Sequence, residues 1–154
     1  MSLSKLTDYL REHRVDYRTQ EHAPTYTAQQ TAACTHTPGR ELAKPVMVKI
    51  DDELAMAVIP ASERVHLGML REATGASEVR LATENEFRDR FPECELGAMP
   101  PFGNLFGLPL YVSETLTHDD RIAFNAGSHT ELITLAYDDF ARLTQPCIAD
   151  ITRH

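Results

Sequence analysis

Lys44 is the cation best placed for chemistry in this sequence. It opens an apolar run, Leu42-Ala-Lys-Pro-Val-Met-Val-Lys49, of strand-forming composition. A lysine ammonium is a compact point charge suited to a phosphate or sugar oxygen. Lys44 and Lys49 are five positions apart, so on a regular strand they face opposite sides. One can then be solvated while the other points inward. The competing reading makes both of them edge-strand lysines that guard against aggregation.

Two glycine-bearing segments could supply backbone donors. In Gly97-Ala-Met-Pro-Pro-Phe-Gly103, glycines permit backbone shapes that aim N–H groups at a ligand, and prolines stiffen the loop. Donors held in this way can stabilise an oxyanion. A rigid structural turn explains the same residues. In Phe124-Asn-Ala-Gly-Ser-His129, small residues at a strand end let a ligand approach the main chain closely, as a plain tight turn also would.

Other chemistries lack their patterns. His22, His36, His66, His118, His129 and His154 show no His-x-x-x-His or His-Glu-x-x-His spacing, so no metal site is expected. There is no Gly-x-Ser-x-Gly elbow and no Gly-x-x-x-x-Gly-Lys phosphate cradle. Cys34, Cys94 and Cys147 are odd in number and far apart, which reads as free thiols rather than a disulfide framework.

Several elements must position these groups. Leu3, Leu6, Tyr9, Leu10 and His13 fall at helical spacing, with Ser2 or Ser4 as cap. Val15, Tyr17 and Thr19 alternate as a short strand. Thr27 and Gln30 form a capping-box pattern ahead of a helix over 28–34. The runs 46–50 and 54–59, divided by Asp51-Asp52-Glu53, predict a hairpin. A helix over 64–74 stops at Gly75, a strand follows at 78–82, and Thr83 with Glu86 opens a helix to about 90. Pattern fails from 91 to 108, and a long irregular loop inside a compact domain tends to be functional. Strands at 110–113, 121–125 and 132–135 and a helix over 137–143 complete the chain. The count, about seven strands and four or five helices without βαβ alternation, predicts an α+β fold.

The 154 residues fit one domain, 1–154, able to bury its own core. No stretch is long enough to span a bilayer as a helix, and the amino-terminal segment lacks a signal-peptide core, so a cytoplasmic protein is expected. Fifteen lysines and arginines against 23 acids leave a net charge of −8. A protein that coats nucleic acid through phosphates should be basic. General DNA or RNA binding is therefore not expected, whereas contact with only the end of an RNA is compatible.

Six segments in order, Glu21-His-Ala-Pro-Thr25, Ala43-Lys-Pro-Val-Met-Val-Lys49, Ala57-Val-Ile-Pro60, Gly97-Ala-Met-Pro-Pro-Phe-Gly103, Leu108-Pro-Leu-Tyr-Val112 and Asn125-Ala-Gly127, resemble the YbaK family. This is the domain also inserted into bacterial prolyl-tRNA synthetases as their editing domain. The resemblance covers about residues 3–143. It implies a mixed, barrel-like sheet of six or seven strands with surrounding helices, and a deacylase that hydrolyses the ester of a wrong, small amino acid on tRNA. The family's invariant lysine falls on Lys44 and its glycine-proline loop on 97–101. Gln20, Ser113 and Glu131 stand where some members have Tyr, Asp and Asp, differences that bear on amino-acid specificity.

On this reading Lys44 anchors the tRNA end. The N–H groups of Gly97 and its loop, with Gly127, polarise the ester carbonyl, and a water or the neighbouring ribose hydroxyl supplies the attacking oxygen. Met47, Met99 and Phe102 are candidate pocket walls. His22, Pro100, Pro101, Gly103, Asn125, Ser128 and His129 are further candidates for substrate contact. The expected partner is the acceptor end of an aminoacyl-tRNA, with or without a synthetase, and no cofactor is called for. A non-catalytic RNA- or protein-binding module of the same fold, and hydrolysis of another small aminoacyl ester or thioester, are the alternatives.

Overall fold

The computed structural model describes residues 3–153. Its centre is the hairpin of β2 (Ala43–Ile50) and β3 (Glu53–Pro60), paired in register from Ala43–Pro60 to Ile50–Glu53. Asp51 and Asp52 turn it with φ of 47° and 71°, the pair of positive angles that a two-residue hairpin turn matched to strand twist requires. The Asp51 carboxylate also accepts from the amides of Ser77, at 3.0 Å, and Glu78, at 2.9 Å. The acidic triplet is thus turn chemistry.

The other strands are β1 (Tyr17–Glu21), β4 (Arg64–Val65), β5 (Val79–Leu81), β6 (Leu110–Ser113), β7 (Arg121–Asn125), β8 (Glu131–Ala136), β9 (Cys147–Ala149) and β10 (Thr152–Arg153). They form a five-stranded mixed sheet, β5-β2-β3-β6-β9, a three-stranded antiparallel sheet, β1-β8-β7, and the β4–β10 pair. The β3–β6 and β6–β9 pairings are parallel. An isolated parallel bridge, Leu42–Ala123, ties the two larger sheets together. The expected mixed α+β architecture is present, with its strands divided between two sheets joined at that bridge.

Alternation along the strands sends Met47, Met56, Val58, Phe124, Ile133 and Leu135 into the main core, where α1 (Ser4–Glu12) buries Leu6 and Leu10. The opposite face of the hairpin, Val48, Ala55, Ala57 and Ile59, packs with Leu70 of α3 (Leu67–Thr74). A third cluster, Leu42, Ala61, Ala123 and Leu132, lies under Ala28 and Ala32 of α2 (Ala28–Cys34).

Several local expectations change. Neither serine is seen to cap α1: Leu3 holds the cap position, Ser4 is the first helical residue without a side-chain cap bond, and Ser2 lies outside the described residues. Residues 64–65 are strand, because β10 pairs there. The helix starts after His66, whose Nδ1 accepts from the Met69 amide at 3.1 Å. The helix predicted to 90 is α4 (Glu84–Phe87) followed by a 3-10 turn over Arg88–Arg90. Thr27 caps α2, but the Gln30 side chain reaches one residue further than the capping box requires, to the Tyr26 amide at 3.0 Å. α5 (Tyr137–Thr144) forms as expected, with Asp138 and Asp139 in its first turn.

Candidate active site

The start of β2, the loop at 97, the end of β7, the turn after it and the first turn of α2 meet around a cleft of about 190 Å³. Lys44, Gly97, Asn125 and His129 line it, with Tyr26, Thr27, Ala28, Thr31 and Leu42. Four of the residues singled out in the sequence are thereby gathered from three separate segments.

Lys44 is half-buried, and none of the ion pairs or hydrogen bonds among the described residues involves it. Its pKa is lowered from the ordinary lysine value, first by burial and then by the positive charge of Arg64. A cation that loses solvation without gaining an acidic partner costs stability. An anionic ligand would supply the missing partner. Lys49, five positions on, belongs elsewhere: its ammonium lies 3.9 Å from Glu86.

The loop over 95–99 is laced to the turn after β7. Glu95 N–H donates to Gly127 O at 2.8 Å, Gly127 N–H to Ala98 O at 2.9 Å, and Ala98 N–H to Glu95 O at 3.0 Å. The His129 Nε2 lies 2.7 Å from Leu96 O. A carbonyl can only accept, so this nitrogen carries the proton. Gly97 sits at φ +86° at the mouth of the lacing, and its N–H meets no acceptor among the described residues. A free donor on a braced backbone is what stabilisation of a developing oxyanion requires.

Asn125 brings an acceptor. Its Oδ1 is buried without a hydrogen-bond partner among the described residues, a state that costs about 1–3 kcal/mol in general. Tyr26, 75% exposed, leans on the His129 ring at a centroid distance of 5.2 Å and forms the rim.

The remaining predicted residues sit outside this lining. Met47, Met99 and Phe102 are core, and Phe102 meets Phe124 and Phe140 edge-on at 5.4 Å each. They do not line this cleft: strand alternation turns Met47 inward, aromatic packing holds Phe102, and Met99 borders a separate pocket with Phe91, Pro92 and Leu96. Pro100, Pro101 and Gly103 are buried, and a Cβ on Gly103 would approach Leu108 O to 3.1 Å. Gly127 cannot polarise a carbonyl: its N–H is committed to Ala98, and it is a glycine because φ is +99° and Leu3 Cβ would lie 3.1 Å from its own. The Ser128 hydroxyl pairs with that of Thr130 at 3.2 Å. His22 Nδ1 lies 2.8 Å from Ala23 O, while its Nε2 is buried without a partner among the described residues. His154 lies outside the described residues. Among the described residues, no cluster of His, Cys, Asp and Glu could hold a metal ion, and no helix is long and apolar enough to cross a membrane.

Tyr26, Thr27, Ala28, Thr31 and Leu42 were not marked as site residues by the sequence. The capping pattern at Thr27 announced a helix start, but only tertiary packing shows that this start borders the cleft.

Known proteins resemble the chain over most of its length. The model of the family described as "Aminoacyl-tRNA editing domain" matches residues 22–143. The multifunctional Ser/Thr-tRNA deacylase ProXp-y of Escherichia coli (strain K12) is 26% identical, covering 97% of this chain and 92% of its own length. A crystal structure of a hypothetical protein superimposes with a TM-score of 0.87 at 22% identity, over 97% of this chain and all of that one. A candidate trans-editing enzyme for prolyl-tRNA synthetase superimposes at 0.83, also at 22% identity, over 99% of this chain and all of that one.

Proposed function

This chain belongs to the aminoacyl-tRNA editing domain family and hydrolyses the ester of mischarged tRNA; from that premise we propose that the cleft around Lys44 is its active site and that a serine- or threonine-sized aminoacyl group is the substrate. The observation that carries the reading is the convergence on one small cleft of Lys44, Gly97 and Asn125, with the half-buried Lys44 ammonium and the Gly97 N–H both without partners among the described residues.

Each group takes one part of the reaction. The Lys44 ammonium binds a phosphate or sugar oxygen of the terminal nucleotide and places the ester carbonyl beside Gly97. The Gly97 N–H donates to the carbonyl oxygen as it becomes negative. A water, assisted by the neighbouring ribose hydroxyl, adds to the carbonyl carbon. The tetrahedral intermediate collapses by breaking the bond to the ribose oxygen, which takes the proton given up by the water. Free amino acid and deacylated tRNA leave. No side chain lining the cleft forms a nucleophile–base pair: the hydroxyl of Thr27 caps α2 and that of Thr31 is shared with Thr25 and the Thr27 carbonyl. The route is therefore direct hydrolysis of an already activated ester.

Asn125 supports the choice of substrate, since its side-chain amide borders the cleft and suits a hydroxyl or the ammonium of a small aminoacyl group. A cleft of about 190 Å³ excludes larger side chains by size. The E. coli relative, a Ser/Thr-tRNA deacylase, favours the same class. The acceptor end reaches the cleft with or without a synthetase, and the reaction belongs in the cytoplasm with translation.

The test is a panel of tRNAs charged with serine, threonine, alanine, valine and phenylalanine. Hydrolysis should be fastest for serine or threonine and absent for phenylalanine. Equal rates across the panel would remove size and hydroxyl selection from the cleft.

A further inference from the structure

In the β4–β10 pair, Arg64 stands directly opposite Arg153. Like charges at opposed positions of an antiparallel ladder repel and weaken it. Both side chains are exposed, and neither is in an ion pair among the described residues. Arg153 only donates to its neighbour's carbonyl, Thr152 O, at 3.3 Å. Glu63, adjacent to Arg64 in sequence, does not compensate them. It is buried and accepts from the hydroxyls of Thr115, at 2.9 Å, and Thr152. Arg64 in turn lies close enough to Lys44 for its charge to be felt there.

Arg64 and Arg153 thus face each other with no acidic partner among the described residues, Arg64 on the strand that follows the end of β3 paired with Ala43 and Lys44, in a chain of net charge −8. We propose that Arg64 and Arg153 receive backbone phosphates of the single-stranded tRNA end, just before the nucleotide held at Lys44. This rests on the reading of the Lys44 cleft as the editing site. Guanidinium groups suit the task because they bind phosphate oxygens in pairs. The geometry also resolves the charge problem. A short basic ledge captures a few phosphates of the acceptor end, while the acidic remainder of the surface repels the body of the polyanion. The repulsion built into β4–β10 is relieved when RNA is bound.

Binding of 5′-labelled, uncharged tRNA, followed by fluorescence anisotropy across a KCl titration, tests the ledge without requiring catalysis. Each phosphate contact on a single strand contributes about −0.7 to the slope of log K against log salt. Arg64→Ala/Arg153→Ala should therefore flatten the slope by about 1.4, so that between 50 and 200 mM KCl the wild type loses about sevenfold more affinity than the variant. Arg64→Lys/Arg153→Lys should keep most of the slope. The alanine variant should unfold at the same temperature as the wild type or higher, because a repulsive pair has gone, whereas a structural role would lower it. An unchanged slope, or no tRNA binding by the wild type, overturns the proposal. Hydrolysis of 3′-O-seryl-adenosine, which carries no phosphate, reports separately on the cleft. Its failure in the wild type would sink the deacylase reading and leave the salt slope to decide this one.

Discussion

Replacing Lys44 with methionine should move activity and stability in opposite directions. Methionine keeps most of the side-chain length and apolar contact but removes the charge. In the free protein the ammonium is half-buried with no acidic partner among the described residues, and its pKa is lowered by desolvation and by Arg64. A lysine whose folded-state pKa lies below its unfolded one weakens the fold at neutral pH. The unfolded chain binds more protons between the two values, so stability rises with pH through that window, up to the ordinary value of 10.5. Lys44→Met should therefore unfold at the wild-type temperature or above it, and its stability should lose that alkaline rise. With substrate bound the sign reverses. A hydrogen bond to a charged group contributes about 1.5–3 kcal/mol, which is about 10- to 150-fold in kcat/KM. Differential scanning calorimetry from pH 7 to 10.5 and deacylation of Ser-tRNA read the two effects. A variant that is both less stable and fully active would make Lys44 a structural cation with no part in deacylation.

Gly97→Ala should cost about 1 kcal/mol, through the positive φ of 86° rather than a clash, since the added Cβ meets His129 Cε1 at an ordinary 3.5 Å. Any shift of that backbone misaims the N–H, so kcat for Ser-tRNA should fall about tenfold or more. Asn125→Ala removes an acceptor with no partner among the described residues, so thermal stability should hold while KM for Ser-tRNA rises by about fivefold. Asp119, with its pKa pushed up to about 6 mainly by burial and then by Glu41, and with Oδ2 unpaired among the described residues, is more protonated when folded. Stability should fall as pH rises from about 4 to 6, and Asp119→Asn should flatten that part of a denaturant-unfolding profile. Phe102→Ala should cost about 3–5 kcal/mol, measured in urea, because it empties the centre of an aromatic cluster. A small cost there would return Phe102 to the candidate walls of the cleft.

The readable part of this molecule is the part with strong local causes. The β2–β3 hairpin follows from two apolar runs and an acidic turn, and the opposite destinations of Lys44 and Lys49 follow from odd spacing on one strand. The glycine-proline segment was visible as a break in every pattern. The short strands β9 and β10 were not, since three or two residues carry no period, and Cys147 and Ile148 lie exposed at a sheet edge. Arg64 and Val65 extend a helical pattern that pairing with β10 overrides. At the site, glycine identity alone could not distinguish Gly97, whose amide has no acceptor among the described residues, from Gly127, whose amide closes the lacing to Ala98. Met47 and Phe102 had the chemistry of pocket walls but core positions, a distinction fixed only by the fold.

The central claim is that one cleft holds the aminoacyl end of tRNA against Lys44 and Gly97. The direct measurement is a structure with a non-hydrolysable 3′-seryl-amino-adenosine. The seryl carbonyl should lie within hydrogen-bonding distance of the Gly97 N–H, and the Lys44 ammonium on an oxygen of the nucleotide. An analogue seated elsewhere, or in the cleft with its carbonyl turned from Gly97 and Lys44 untouched, would contradict it.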